Sequence, residues 1–140
     1  MKKVCSLEFF TLVFFSLICT ISYAADAEKD ALKAAQEWLI LIDANNYGKS
    51  WDEASELFKK SVKKENWEQS IKAVRPAMGN LISRNIMSTK YATALPGAPD
   101  GEYVVIQFST SFANKKAAVE TVTPMKDPDG KWRVSGYYIR

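Results

Sequence analysis

The hydrophobic period of this chain changes once, near Leu81, and that change separates a helical half from a strand half. From Asp26 to about Asn45, Ala31, Ala35, Trp38 and Ile42 recur at spacings of four, three and four, which is one stripe of an amphipathic helix. Asp26, Glu28 and Asp30 near its start suit the positive end of the helix dipole. Asn45-Asn46 and Gly48 supply the stop. Ser50-Trp51-Asp52-Glu53 reads as a capping box, opening a second helix with Trp51, Ala54, Phe58 and Val62 on one face. A third helix follows from about Lys64, with Trp67, Ile71 and Val74 inward. Pro76 disfavours helix at Arg75, so that helix kinks or ends there, with room for one more turn to Asn80.

After Leu81 the pattern is that of strands. Residues 82–94 read as a long, rather polar strand, ended by the turn-rich run Pro96-Gly97-Ala98-Pro99-Asp100-Gly101. Val104, Ile106, Phe108 and Phe112 alternate along the next strand, and Val119 to Lys126 forms a third. Asp127-Pro128-Asp129-Gly130 is the strongest local signal: proline presets the first turn position and glycine accepts the left-handed conformation of a bulge. Trp132, Val134 and Tyr138 then alternate along the closing strand. The expected class is α+β, with three N-terminal helices packed on a curved antiparallel sheet of about four strands.

The first residues belong to a different pattern. Lys2 and Lys3 precede an apolar run from Phe9 to Ile21, and Ser22-Tyr23-Ala24 offers small residues at the minus-three and minus-one positions of a cut before Ala25. This is the form of a secretory signal, and the run is short for a membrane span. Residues 1–24 are therefore expected to be a cleaved signal and residues 25–140 a single exported domain, in a bacterial periplasm or outside the cell, with no stable membrane span after cleavage. Cys19 follows Ile18, where a lipidation signal wants a small residue.

Composition narrows the chemistry. The chain has no histidine, and its two cysteines, Cys5 and Cys19, both lie in the expected signal. The exported part thus has no thiol, no disulfide and no imidazole, the usual proton shuttle near neutral pH. No zinc motif, glycine-rich phosphate loop or nucleophile elbow is present, so neither metal nor cofactor is expected. A net charge of +3, with mixed signs, does not argue for nucleic acid. All four tryptophans, Trp38, Trp51, Trp67 and Trp132, fall in the exported part and supply much of its core.

Three segments carry a resemblance. They are Tyr91-Ala92-Thr93 with Leu95-Pro96-Gly97-Ala98-Pro99-Asp100-Gly101-Glu102-Tyr103-Val104-Val105, then Glu120-Thr121-Val122-Thr123, then Gly130-Lys131-Trp132-Arg133-Val134-Ser135-Gly136-Tyr137-Tyr138-Ile139-Arg140. Together they resemble a bacterial exported family known as domain of unknown function 4019. The resemblance implies a cone-like fold similar to the nuclear transport factor two superfold, in which a curved sheet wraps helices around a central cavity. It implies no catalytic residues. Pro124 stands where a larger aliphatic residue is expected in that family, and its missing N–H predicts an edge or bulged strand there.

Within such a cone, Glu120 is the residue of most chemical interest. It shares a strand side with Val122 and Pro124, so if that side faces the helices, a carboxylate enters the interior. A three-residue Pro128-Asp129-Gly130 loop pairs Asp127 with Lys131 and Glu120 with Tyr138, on the Trp132 and Val134 side. A four-residue loop sends Glu120 to the other face, since a one-residue slip inverts every side chain. Bulge chemistry favours the first pairing. Arg84, Tyr91 and Tyr138 are the expected partners, with Trp51 on the candidate cavity wall. The plain role for Glu120 is a structural ion pair with an arginine.

The function expected from these residues is a non-enzymatic binding or interaction module. It would use the cone cavity, for a small apolar or amphipathic ligand, or the sheet face, for a homodimer. The alternative is a small hydrolase-, dehydratase- or isomerase-like enzyme using Glu120 with a tyrosine or arginine.

Overall fold

A computed structural model of the chain describes residues 9–140, with side chains from Ile21 onward. Lys2, Lys3 and Cys5 of the expected signal lie outside the described residues. The elements are α1 (Phe9–Asp43), α2 (Tyr47–Asp52), α3 (Glu56–Ser61), α4 (Lys64–Met78), β1 (Leu81–Ala92), β2 (Tyr103–Phe112), β3 (Lys115–Lys126) and β4 (Trp132–Ile139). The four strands form one antiparallel meander in the order β1-β2-β3-β4. The α+β expectation holds, with four helices in place of three.

The extra helix comes from Ser50, whose hydroxyl is spent inside the core and not on a cap. It is fully buried, donates to the Tyr47 carbonyl at 2.7 Å and accepts the Trp67 indole N–H at 3.0 Å. The Ser50 carbonyl accepts the Trp38 indole at 2.8 Å. With that serine occupied, α2 starts earlier, at Tyr47, and the cap moves to Ser55, whose side chain accepts the Phe58 N–H at 3.1 Å. The Ser55 N–H in turn donates to the Val134 carbonyl at 2.9 Å, tying the start of α3 to β4.

At the end of α4 the chain runs one turn past Arg75, with Pro76 inside the helix, and stops at Gly79. Gly79 has φ +78°, which strains any side chain, and a Cβ there would also press on the Ala113 Cβ at 3.1 Å. α1 runs without a break through the boundary expected before Ala25. Just ahead of that boundary, the Tyr23 hydroxyl donates to Glu102, and its ring meets Tyr91 edge-on at 6.2 Å. Among the described residues, no helix is long and apolar enough to cross a membrane.

One face of the sheet packs on the helices. Val104, Ile106, Phe108, Val122 and Val134 meet Trp38, Leu39, Ile42, Phe58, Trp67 and Ile71 in a single core. Trp67 is the centre of an aromatic cluster, edge-on to Phe58 at 5.1 Å and tilted against Trp38 at 5.9 Å.

The β3–β4 register resolves the question of Glu120. At the turn the three-residue pairing is correct: Lys126 faces Trp132, and the Asp127 N–H donates to the Lys131 carbonyl at 2.9 Å. Gly130 is left-handed, with φ +82°. The strand then slips, because Thr123 pairs with Gly136 while Pro124 pairs with Val134, leaving Ser135 as the extra residue of a bulge. Pro124 has no N–H to offer the ladder at that point, and the Ser135 hydroxyl donates to the Thr123 carbonyl at 2.7 Å. The ladder is thus irregular at Pro124 as expected, but β3 is an inner strand and the extra residue lies opposite, on β4. Past the bulge the side chains of β4 change sides, so Tyr137 turns inward and Tyr138 outward.

Candidate functional site

Glu120 faces the helices with 0% of its surface exposed. A bare carboxylate in that position would cost several kcal/mol, on the order of a lost charge–water shell, so its partners decide whether the fold stands. Arg84 on β1 grips it with two bonds, Nε to Oε2 at 2.6 Å and Nη2 to Oε1 at 3.1 Å. The Thr110 hydroxyl on β2 donates to Oε2 at 2.6 Å, and the Tyr137 hydroxyl on β4 donates to Oε1 at 2.5 Å. Two donors on each oxygen fill the acceptor capacity of the group.

The network continues to the helices. The other side of the Arg84 guanidinium binds Asp43 at the end of α1, Nη1 to Oδ2 at 2.7 Å and Nη2 to Oδ1 at 3.0 Å. Arg75 of α4 donates to the same Oδ1 at 3.1 Å and to the Gly79 carbonyl at 2.6 Å. Its guanidinium lies 4.3 Å from the centre of the Phe112 ring, while its Nε is buried without a partner. Two arginines and two carboxylates therefore balance in charge, and the network ties α1, α4 and all four strands together.

Electrostatics follow from these contacts. Burial pushes the Asp43 carboxyl up, but hydrogen bonds and charge from Arg84 and then Arg75 outweigh it, so its pKa lies below the usual 3.8. Burial acts to weaken the Arg84 charge, yet bonds to Asp43 and Glu120 prevail and hold it protonated. Burial, then the charge of Glu120, raises the Tyr137 phenol well above 10. At the surface, the hydrogen bond from Arg133 lowers Asp129 to about 2.

A pH prediction follows. Asp43 and Asp129 have depressed folded values, so their stabilisation is present above the unfolded value near 3.8 and is lost as pH falls through the folded values. Tyr137 has the opposite sign: its raised value stabilises below about pH 10, the unfolded phenol value, and is lost at higher pH. With no histidine, nothing of the imidazole kind titrates between. Urea midpoints should be level from about pH 5.5 to 8, then fall below about pH 4 and above about pH 10. A midpoint unchanged at about pH 2.5 would contradict the ion-pair account.

Of the five residues expected at the site, Glu120 and Arg84 meet. The other three lie elsewhere. Tyr138 is 60% exposed on the outer face, because the Ser135 bulge hands its inward place to Tyr137. Tyr91 donates from its hydroxyl to Glu102 at 3.3 Å and from its backbone N–H to Glu28 at 3.1 Å. Trp51 is half-buried, with its indole N–H on the Val62 carbonyl at 2.8 Å and Lys64 over its ring at 5.9 Å. Asp43, Arg75, Thr110 and Tyr137 complete the network and were not foreseen. Three of them left a trace: Asp43 follows Leu39 and Arg75 follows Ile71 by one helical turn, while Thr110 fills the alternation between Phe108 and Phe112.

The Glu120 carboxylate is sealed from solvent. Open grooves of about 260, 320, 350 and 430 Å³ surround the domain, and Glu120 lines none of these four. The family described as "Protein of unknown function (DUF4019)" matches residues 34–137. The chain belongs to that family. No curated protein matches it. The DUF4019 span includes all six network residues, from Asp43 to Tyr137, and leaves out α1 up to Lys33.

Proposed function

We propose that this DUF4019 chain is an exported, non-catalytic interaction module that associates with a second copy of itself along the β1 edge of its sheet. Export is supported by Lys2-Lys3, the apolar run to Ile21 and the small residues before Ala25. The absence of catalysis is supported by the state of Glu120, which has no exposed surface and whose two oxygens each already accept two hydrogen bonds. A general base must reach the proton it takes, and this one cannot.

The observation that carries the self-association is the character of β1. Among the described residues this twelve-residue strand pairs with β2 alone; Glu28 of α1 takes the Tyr91 N–H and the Thr89 hydroxyl near its end, so the open part of its outer edge lies toward Leu81. Its two bulges project Ile82 and Met87 into solvent, with Ile82 65% exposed, and the exposed Ile86 lines an open groove with Ile40 of α1. Free edges are normally guarded by charge or proline. Between Leu81 and Thr89 the one charged residue is Arg84, and its charge is already taken by Asp43 and Glu120. Two copies of β1 can therefore meet antiparallel with no like charges opposed, burying the apolar group about a two-fold axis.

Sedimentation equilibrium tests this. The purified chain should form a dimer at about 50 μM, and Ile82→Lys with Met87→Lys should shift it to monomer without moving the thermal midpoint. A chain that stays monomeric throughout, or a dimer indifferent to both lysines, would refute the β1 edge as the interface.

A further inference from the structure

The packed part of α1 starts two residues ahead of the boundary expected before Ala25. Its inward stripe runs Ala24, Ala27, Ala31, Ala35, Trp38 and Ile42, at helical spacings of three and four. Ala24 is half-buried and the other five are buried. One step further back the stripe would take in Ile21, and that side chain is 65% exposed. An apolar residue left in solvent at a stripe position marks where the helix parts from the sheet. Contact with the domain thus extends through Ala24 and Tyr23 and has fallen away by Ile21.

Tyr23 is the stronger sign. Three side chains from separate places in the sheet converge on it: Tyr91 near the end of β1, Glu102 just before β2 and Lys126 at the end of β3. The Tyr23 hydroxyl donates to Glu102 Oε1 and accepts from Lys126 Nζ at 3.4 Å, while that ammonium lies 5.6 Å from the centre of the Tyr23 ring. The Tyr91 ring meets it edge-on, and the Tyr91 hydroxyl donates to the same Oε1 at 3.3 Å. Without Tyr23 the Glu102 carboxylate would keep that longer bond and Lys126 at 3.9 Å, and the aromatic pair would be gone.

Such a seat bears on where the leader is cut. A leader serves the export machinery and its peptidase, and it is removed from the mature protein. A residue that three side chains of the folded domain address is one that the domain keeps. The chain offers a second cut that keeps it. Thr20 and Ser22 place short side chains at the minus-three and minus-one positions of a cut before Tyr23, and the apolar run from Phe9 still precedes them.

We propose that the signal is cut between Ser22 and Tyr23, so that the exported chain begins at Tyr23 and this tyrosine anchors the start of α1 on the sheet. A signal peptidase adds water across that peptide bond, the hydroxyl going to the Ser22 carbonyl carbon and the proton to the Tyr23 nitrogen. This rests on the export proposed above, with the cut moved by two residues.

The full chain with its own leader, expressed in a bacterium and recovered from the periplasm, tests it by N-terminal sequencing and intact mass. The product should start Tyr23-Ala24-Ala25-Asp26 and hold residues 23–140. A product starting Ala25-Asp26-Ala27-Glu28 would overturn this cut and leave export standing. A chain that stays uncut inside the cell would overturn export and the cut together. Ala24→Leu separates the two sites in a second way, because a bulky side chain is refused at minus-one and tolerated at plus-two. That variant should still be processed to a chain that starts at Tyr23. Accumulation of its uncut precursor would place the cut before Ala25 and sink the proposal.

Discussion

Glu120→Ala should destabilise the fold by about 3–5 kcal/mol, the cost of breaking a buried ion pair from one side. The variant removes the group that Arg84, Thr110 and Tyr137 all address. Arg84 keeps Asp43, but half of its guanidinium faces a cavity, and two hydroxyls lose their acceptor. For a domain of this size the thermal midpoint should fall by roughly 10–20 °C, or the variant should fail to fold. Replacing all four partners by apolar residues of similar volume, as Arg84→Met, Thr110→Val, Glu120→Leu and Tyr137→Phe, leaves no orphaned partner of the carboxylate. Buried networks replaced in this way are often neutral or stabilised. The fourfold variant should therefore be more stable than Glu120→Ala, although it changes more of the molecule. Urea denaturation of the two gives the comparison, and a Glu120→Ala cost below about 1 kcal/mol would mean that the network does not hold the interior together.

Trp38→Ala should cost about as much, roughly 3–5 kcal/mol, by a different route. Its indole is buried against Trp67 at 5.9 Å and Tyr137 at 5.3 Å, and its N–H satisfies the Ser50 carbonyl. Truncation opens a cavity where α1, α2, α4 and β4 meet, and leaves that carbonyl unpaired. Trp38→Phe restores most of the volume but not the donor, and should lose on the order of 1–3 kcal/mol, the cost of a buried unsatisfied group. The difference between the two variants measures packing, and the cost of the second measures the hydrogen bond. Equal losses would place the whole effect in the Ser50 bond.

The fold was legible because its two periods are long and clean. Four spaced apolar residues define α1 from Ala31 to Ile42, and alternation defines β2 from Val104 onward. The direction of Glu120 was legible too, since a three-residue turn closed by a left-handed Gly130 sets the local pairing. The partner tyrosine was not, because a bulge twelve residues on from Thr123 moves register without any change in hydrophobic pattern. Pro124 marked its place, and Gly136 lies on its other strand. Asp43 and Arg75 escaped notice because charge at the end of a helical stripe ordinarily means solvent. Here, the opposite charges that end two stripes meet each other, and Asp43 also takes Arg84. Ser50 misled for a related reason: a serine before a helix usually caps it, but two indoles and a buried carbonyl claimed this one first.

The central claim is that the buried network holds the domain together while its outer edge does the binding. Sedimentation equilibrium of Thr110→Val with Tyr137→Phe, which strip two donors from Glu120 without touching β1, separates these roles in one measurement beside the unaltered chain. The account predicts a folded variant that dimerises with the same dissociation constant. A variant that folds but remains monomeric would contradict it, placing the network itself in the function.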